Sequence, residues 1–275
     1  MLLSIRVFNF LEGFAIVKRI IALSTIIISL ILSTTTAFAQ KSEQVYYEVI
    51  QYQVVNNAQM DKLENYWKDA AIPALNRLGI EMVGVLKPQY GAHGLDLFVI
   101  IPHNTIESYT TAWDKLTADA EYQKVAASFL NRPKEDAVYF RYSTSLLKAF
   151  SHMPKPEISA HIKGKSGRLF EMRTYESHSR HDSKMKIEMF NEGGEIAVFR
   201  ETGLHPVLFG ETIAGNGMPN LVYILGFESM TERDANWSKF GQSEGWKKIK
   251  DIPKYKTTVS AITDVILRPT AYSQM

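Results

Sequence analysis

The chain has 275 residues, of which 45% are hydrophobic and 22% charged, and it contains no cysteine, which excludes a disulfide framework, a thiolate nucleophile and a cysteine-ligated metal. Of its 31 basic and 29 acidic residues, Arg6, Lys18, Arg19 and Glu12 fall within residues 1–39, leaving 28 of each in the remainder. That balance lacks the basic face of a nucleic-acid-binding protein.

The N-terminal segment places Lys18 and Arg19 before an apolar run from Ile20 to Leu32, followed by a small and polar stretch ending in Ala37-Phe38-Ala39. This is the order of a secretory signal peptide with cleavage near Ala39. The run falls short of the roughly 20 apolar residues of a transmembrane span. The expectation is an exported protein, periplasmic or extracellular, with no stable membrane span after cleavage; the alternative is a retained anchor. An exported chain without disulfides must hold its fold by its core alone.

From Val45 to Gln53 the chain alternates and is rich in Tyr and Val, the pattern of a strand. Met60, Leu63, Trp67, Ala71, Ala74 and Leu78 then recur at helical spacing, and Gly79 stops the helix. Ile80 to Lys87 and Leu95 to Ile101 read as the second and third strands, joined by a loop with Pro88, Gly91 and Gly94. A second helix opens at Asn104-Thr105-Ile106-Glu107, a cap residue with Glu three positions later, and Val138 to Leu147 is the fourth strand. Ser151 to Gly167, with Pro154, Pro156, Gly164, Gly167 and several lysines, has the composition of a linker.

Beyond the linker the same order recurs. An interval of 124 carries Trp113 onto Trp237, Gly79 onto Gly203, Tyr122 onto Trp246 and Val125 onto Ile249, and carries Phe98 onto Tyr223 within one residue. The organisation is therefore a signal peptide (1–39), a first unit (40–150), a linker (151–167) and a second unit (168–275). Each unit reads βαββαβ, so the fold class is α+β, two tandem ferredoxin-like units. Trp113 and Trp237 read as core anchors on equivalent helices. The first helix of each unit carries a breaker at matching depth, Pro73 and Gly193-Gly194, which bends it around a curved sheet or, alternatively, marks a mouth.

Patterns that carry chemistry are few. No phosphate-binding glycine loop, Gly-x-Ser-x-Gly elbow or His-Glu-x-x-His motif is present. On the first strand of the second unit, Glu171, Arg173 and Tyr175 share one face and Phe170, Met172 and Thr174 the other. With one face covering the helices, the charged face is expected to look away from them, into solvent or a cavity closed by a partner sheet. There it is either an anion- or carbonyl-binding site or an internal ion pair. The first unit has Glu48, Ile50 and Tyr52 on the matching face, so the arginine is missing and the second unit is the preferred site. His178, His181 and Asp182 are close in sequence without a further ligand, so no metal is expected. His205, followed by Phe209 and Glu211 on one strand, is a candidate acid, base or haem ligand, or else a capping or surface residue, and His93 and His103, flanking the third strand, carry the same alternatives.

The second unit resembles a NIPSNAP domain. The resemblance rests on Leu169-Phe170-Glu171-Met172-Arg173-Thr174-Tyr175, Phe199-Arg200-Glu201-Thr202-Gly203-Leu204, Pro219-Asn220-Leu221-Val222-Tyr223-Ile224-Leu225, Trp237-Ser238-Lys239-Phe240 and Glu244-Gly245-Trp246-Lys247-Lys248. The first unit resembles the family more weakly, with Tyr47-Glu48-Val49 in place of the Glu-x-Arg-x-Tyr strand. The resemblance implies a dimeric α/β-barrel-type arrangement, which a tandem chain builds from its own halves or completes as a homodimer. It supplies no activity and no cofactor. It leaves two expectations. The first is a binding protein for a small molecule or a protein partner, with Glu171, Arg173, Tyr175, His205, Glu211 and Tyr223 as cavity candidates. The second is a cavity enzyme, monooxygenase-like or haem-handling, in which Arg173 fixes an anionic substrate, Glu171 or His205 accepts a proton, and Tyr175 and Tyr223 form a hydrogen-bonding wall.

Overall fold

A computed structural model describes residues 44–90 and 93–275; the signal-peptide segment lies outside the described residues. The first unit contains β1 (Tyr46–Gln53), α1 (Asn57–Tyr66), α2 (Ile72–Arg77), β2 (Gly84–Tyr90), β3 (Leu97–His103), α3 (Ile106–Ala118), α4 (Ala120–Leu130) and β4 (Arg141–Ala149). The second contains β5 (Leu169–Glu176), α5 (Arg180–Phe190), α6 (Glu195–Thr202), β6 (His205–Ala214), β7 (Asn220–Phe227), α7 (Met230–Gln242), α8 (Glu244–Lys250) and β8 (Ala261–Pro269). Among the described residues no helix is long and apolar enough to cross a membrane.

The eight strands close into one antiparallel barrel in the order β1-β3-β2-β8-β5-β7-β6-β4. Each half contributes a four-stranded ferredoxin-like sheet, and the halves join where β2 pairs with β8 and β4 with β6. One chain thus completes the barrel, and closure leaves no sheet edge to pair elsewhere.

Closure also covers both faces of the sheets, apart from the exposed starts of β4 and β8. The inner face carries Tyr47, Leu86, Phe98 and Ile100 from the first half against Phe170, Met172, Ile224 and Leu267 from the second. Ile162 of the linker inserts into this interior and is fully buried. Gly226 on β7 admits it: a Cβ there would lie 2.2 Å from Ile162 Cδ1. The outer face packs against the helices as two separate cores, one per half.

Local departures from expectation have local causes. The second strand begins at Gly84 instead of Ile80 because Met82, at φ 57°, leaves the extended region. Thr105, not Asn104, caps α3, its hydroxyl accepting from the Ser108 N–H. Between α1 and α2 the chain makes one π-turn, Trp67–Ala71, in which the Ile72 N–H donates to the Trp67 carbonyl. This wider turn accommodates Pro73, which has no N–H to offer. Trp67 and Ala71 are fully buried, so the break is a packed bend and not a mouth. In the second half Gly194, at φ 85°, separates α5 from α6.

Strand register fixes the equivalences between halves. Glu48 lies opposite Ile101 and Glu171 opposite Leu225, so Glu48 corresponds to Glu171, Ile50 to Arg173 and Tyr52 to Tyr175. The counterpart of Tyr223 is then Val99, while Phe98 points into the barrel.

Candidate functional site

Alternation along β5 places Glu171, Arg173 and Tyr175 on one face, as expected. That face was expected to look away from the helices; it packs directly against them. Glu171 is fully buried and accepts hydrogen bonds from Arg173 Nη1 (2.8 Å), Arg233 Nη2 (2.6 Å), Arg233 Nε (3.1 Å) and Trp237 Nε1 (2.7 Å), the last two residues standing on α7. The physical reason is barrel closure. The interior is walled by sheet on every side and offers a charge no partner, so it takes Phe170 and Met172; the helix side supplies cations and donors and takes the carboxylate.

The rest of this half is filled by mutual contacts. The Tyr223 hydroxyl donates to that of Tyr175 at 2.9 Å, and the Arg173 guanidinium lies 4.8 Å from the Trp237 ring centroid. Burial works against the Arg173 charge, but Tyr223, Tyr175 and Glu171 outweigh it and hold the group firmly cationic. Lys186 and Glu195 form a buried pair at 2.7 Å, with the ammonium 4.4 Å from the Phe190 ring centroid. Burial raises the Glu195 carboxyl above its ordinary range and Lys186 only partly offsets this.

His205 and Glu211 do not join this cluster. His205 opens β6 beside His161 and Glu232, whereas Glu211 borders a surface groove of about 400 Å³ with Lys148 and Lys184. The six candidates therefore occupy three places. His178 pairs with Asp182 at 3.0 Å on the exposed start of α5.

The first half keeps the framework and changes its chemistry. Trp113 on α3 directs its indole N–H at Glu48, as Trp237 does at Glu171, but at 3.3 and 3.4 Å. Ile50 stands where Arg173 does, and Tyr109, four residues before Trp113, stands where Arg233 does. Glu48 is thus 5% exposed with neither arginine. His103 Nε2 lies 3.5 Å from Glu48 Oε2 without forming a hydrogen bond, while its Nδ1 is 3.1 Å from Ser108 Oγ.

Where the second half is filled, the first opens into a cavity of about 420 Å³. Glu48, Ile50, Tyr52 and Thr144 contribute from the strands, and Tyr66, Tyr109, Trp113, Tyr122 and Phe129 from the helices. Tyr142 and Leu130 are exposed among its lining residues. Tyr66 stacks on Phe129 at 3.9 Å between centroids and shares a 2.8 Å hydrogen bond with the Tyr122 hydroxyl. Burial, reinforced by neighbouring phenols, pushes the Tyr52 and Tyr66 phenols up, and burial with the Glu48 charge does the same to Tyr109. These rings are therefore neutral at physiological pH. The buried Thr144 hydroxyl has no hydrogen-bond partner. The arrangement can hold a flat apolar molecule between aromatic rings and accept a hydrogen bond from it at Glu48.

Two stretches of this chain, residues 47–135 and 170–274, match the NIPSNAP family, one in each half and together covering most of the chain. The chain belongs to the NIPSNAP family. A NIPSNAP-like domain protein from Burkholderia xenovorans is 18% identical, with 39% of this chain and 89% of that one covered and a TM-score of 0.36. Two solved structures extend across both halves. A candidate monooxygenase from Lactobacillus acidophilus is 11% identical, with 82% of this chain and 94% of that one covered and a TM-score of 0.55. Another, from Fusobacterium nucleatum, is 10% identical, with 82% and 92% covered and a TM-score of 0.51. At these identities the likeness shows the fold, the dimeric α/β-barrel arrangement. No curated protein matches the chain.

In this NIPSNAP chain Tyr109 and Thr144 were not singled out in the sequence, while Glu48 stood out only as the counterpart of Glu171 and His103 only as a flank of the third strand. Their signal was a loss: the first half keeps the carboxylate and its tryptophan but carries Ile50 and Tyr109 where the second has arginines. Trp113 and Trp237, expected as simple core anchors, are half-buried hydrogen-bond donors to the paired carboxylates.

Proposed function

We propose that this NIPSNAP protein binds a planar, largely apolar small molecule carrying a hydroxyl donor, in the cavity of its first half, with Glu48 as acceptor. The supporting observation is a 420 Å³ aromatic cavity containing a buried carboxylate that lacks both arginines of its counterpart. That volume falls in the range of about 300–1,000 Å³ typical of small-molecule sites. The second half, whose Glu171 is paired with Arg173 and Arg233, is the built-in partner that closes the barrel. A calorimetric titration with 1-naphthol tests this, with naphthalene as the donor-free control. A hydrogen bond to a charged acceptor contributes about 1.5–3 kcal/mol and one to a neutral acceptor about 0.5–1.5, so Glu48→Gln, which keeps a carbonyl acceptor, weakens naphthol binding by roughly 5- to 15-fold and leaves naphthalene unchanged. Equal binding of both probes, or an unaffected Glu48→Gln variant, overturns the reading.

The approach of His103 to within 3.5 Å of Glu48 supports a second reading, a cavity enzyme in which Glu48 takes the proton of the bound hydroxyl. Turnover of a phenol that is lost in Glu48→Gln but retained in Arg173→Ala is its test. Haem handling would have to rely on a tyrosine ligand, since the cavity lining holds tyrosines but no His, Cys or Met. We also propose that the protein is exported after cleavage near Ala39, which sequencing the N-terminus of the native protein checks.

A further inference from the structure

Away from the cavity, His161, His205 and Glu232 converge from three separate segments: the linker, the first residue of β6 and the first turn of α7. One ligand atom from each lies within 4.8 Å of the others, the group of this kind found among the described residues. His161 Nε2 is 2.6 Å from Glu232 Oε1, and His205 Nε2 is 3.9 Å from the same oxygen. The two imidazoles face each other with centroids 4.8 Å apart and planes inclined at 31°.

We infer that these three side chains bind a late first-row divalent cation of the zinc class, tying the linker to the second half of the chain. Two imidazoles and one carboxylate are a donor set that suits such ions, with positions left for water or a further ligand. The carboxylate is already oriented: Glu232 Oε2 accepts from the Glu228 backbone N–H at 2.6 Å, leaving Oε1 toward the histidines. Glu228 Oε2, 3.9 Å from His161 Nε2, is a fourth donor within reach, although Lys165 engages the other oxygen at 2.8 Å.

Bonds of about 2.0–2.2 Å in a tetrahedral site set ligand atoms roughly 3.3 Å apart. The close His161–Glu232 pair must therefore open and the wider pairs contract. The exposed His161 side chain, on the linker, has the freedom to make most of that adjustment. It immediately precedes Ile162, the side chain that plugs the barrel interior, so ligation at His161 would hold the plug in place.

The test uses the whole chain stripped of metal and titrated with Zn²⁺ and with Co²⁺, read by calorimetry, by cobalt d–d absorption and by the thermal midpoint. The result expected is one ion per chain, a tetrahedral-type cobalt spectrum and a raised midpoint. His161→Asn and His205→Asn should each weaken binding by more than about tenfold and abolish the rise in midpoint. His178→Asn, at the separate His178–Asp182 pair, should change neither. Absence of saturable one-to-one binding overturns the inference, as does binding that survives the His161→Asn/His205→Asn double variant. Circular dichroism of the metal-free variants separates a lost ligand from a lost fold.

Discussion

Replacing Glu171 by Gln should cost far more stability than replacing Glu48 by Gln, although both carboxylates occupy equivalent strand positions beside equivalent tryptophans. Glutamine keeps the shape and removes the charge. At position 171 it leaves Arg173 and Arg233, whose side chains are only 16% and 19% exposed, without their shared counter-ion. Arg233 retains Asp234 at 2.8 Å, but that carboxylate is solvent-exposed and compensates weakly. Breaking a buried pair by removing one partner costs about 3–5 kcal/mol, and the residual exposure of the arginines places Glu171→Gln near the lower end, about 3 kcal/mol. For a chain of this size, about 2–4 °C per kcal/mol converts this to a fall in Tm of roughly 6–12 °C. Glu48→Gln removes a charge held by long indole contacts and by no arginine, so its effect should stay within about 1 kcal/mol and can be stabilising, since a desolvated charge is relieved. Urea unfolding of the two variants, with the slope checked for two-state behaviour, decides the matter. Equal losses, or a larger loss at Glu48, would refute the assignment of packing to one half and binding to the other.

Tyr109→Arg gives Glu48 the cation its counterpart has and fills the cavity; naphthol binding should disappear while the thermal midpoint holds or rises. Gly226→Ala forces a Cβ to within 2.2 Å of the buried Ile162 side chain and should destabilise by about 1–3 kcal/mol, with Ile162→Ala in the same chain recovering part of the loss in a denaturant titration. Because the folded state holds His205 below its ordinary value of 6.5, the unfolded chain binds the extra proton. In metal-free protein the His205 contribution should therefore be complete above about pH 6.5 and be lost as pH falls through the folded value. His205→Asn should flatten that part of the stability profile measured by unfolding at a series of pH values.

The repeat, the βαββαβ order and the barrel were legible because packing imposes the same demands on both halves: Trp113 and Trp237 recur on equivalent helices, and Gly79 and Gly203 both end helices at positive φ. The facing of β5 was not, because alternation separates two faces without saying which is inner when both are covered. A sheet closed into a barrel reverses the usual assignment, sending Phe170 and Met172 inward and Glu171 and Arg173 toward the helices. The chemistry of the two halves was hard to compare for a related reason. Charged residues on a strand attract notice, yet Glu171 and Arg173 satisfy each other and Arg233, which is packing. The proposed site is the one where those partners are missing: the sequence already set Ile50 against Arg173, but Tyr109 in the place of Arg233 became visible only when the register aligned α3 with α7. His161 offered no sequence signal, since its approach to His205 depends on how the linker crosses the second half.

The central claim is that the ligand site lies in the first half, against Glu48. Photolabelling with an azido-naphthol, followed by peptide mapping, tests it most directly. The account predicts label on the aromatic residues around Tyr109, Trp113 and Tyr139, competed by 1-naphthol and lost in Tyr109→Arg; label concentrated on Tyr175, Tyr223 or Trp237 would contradict it.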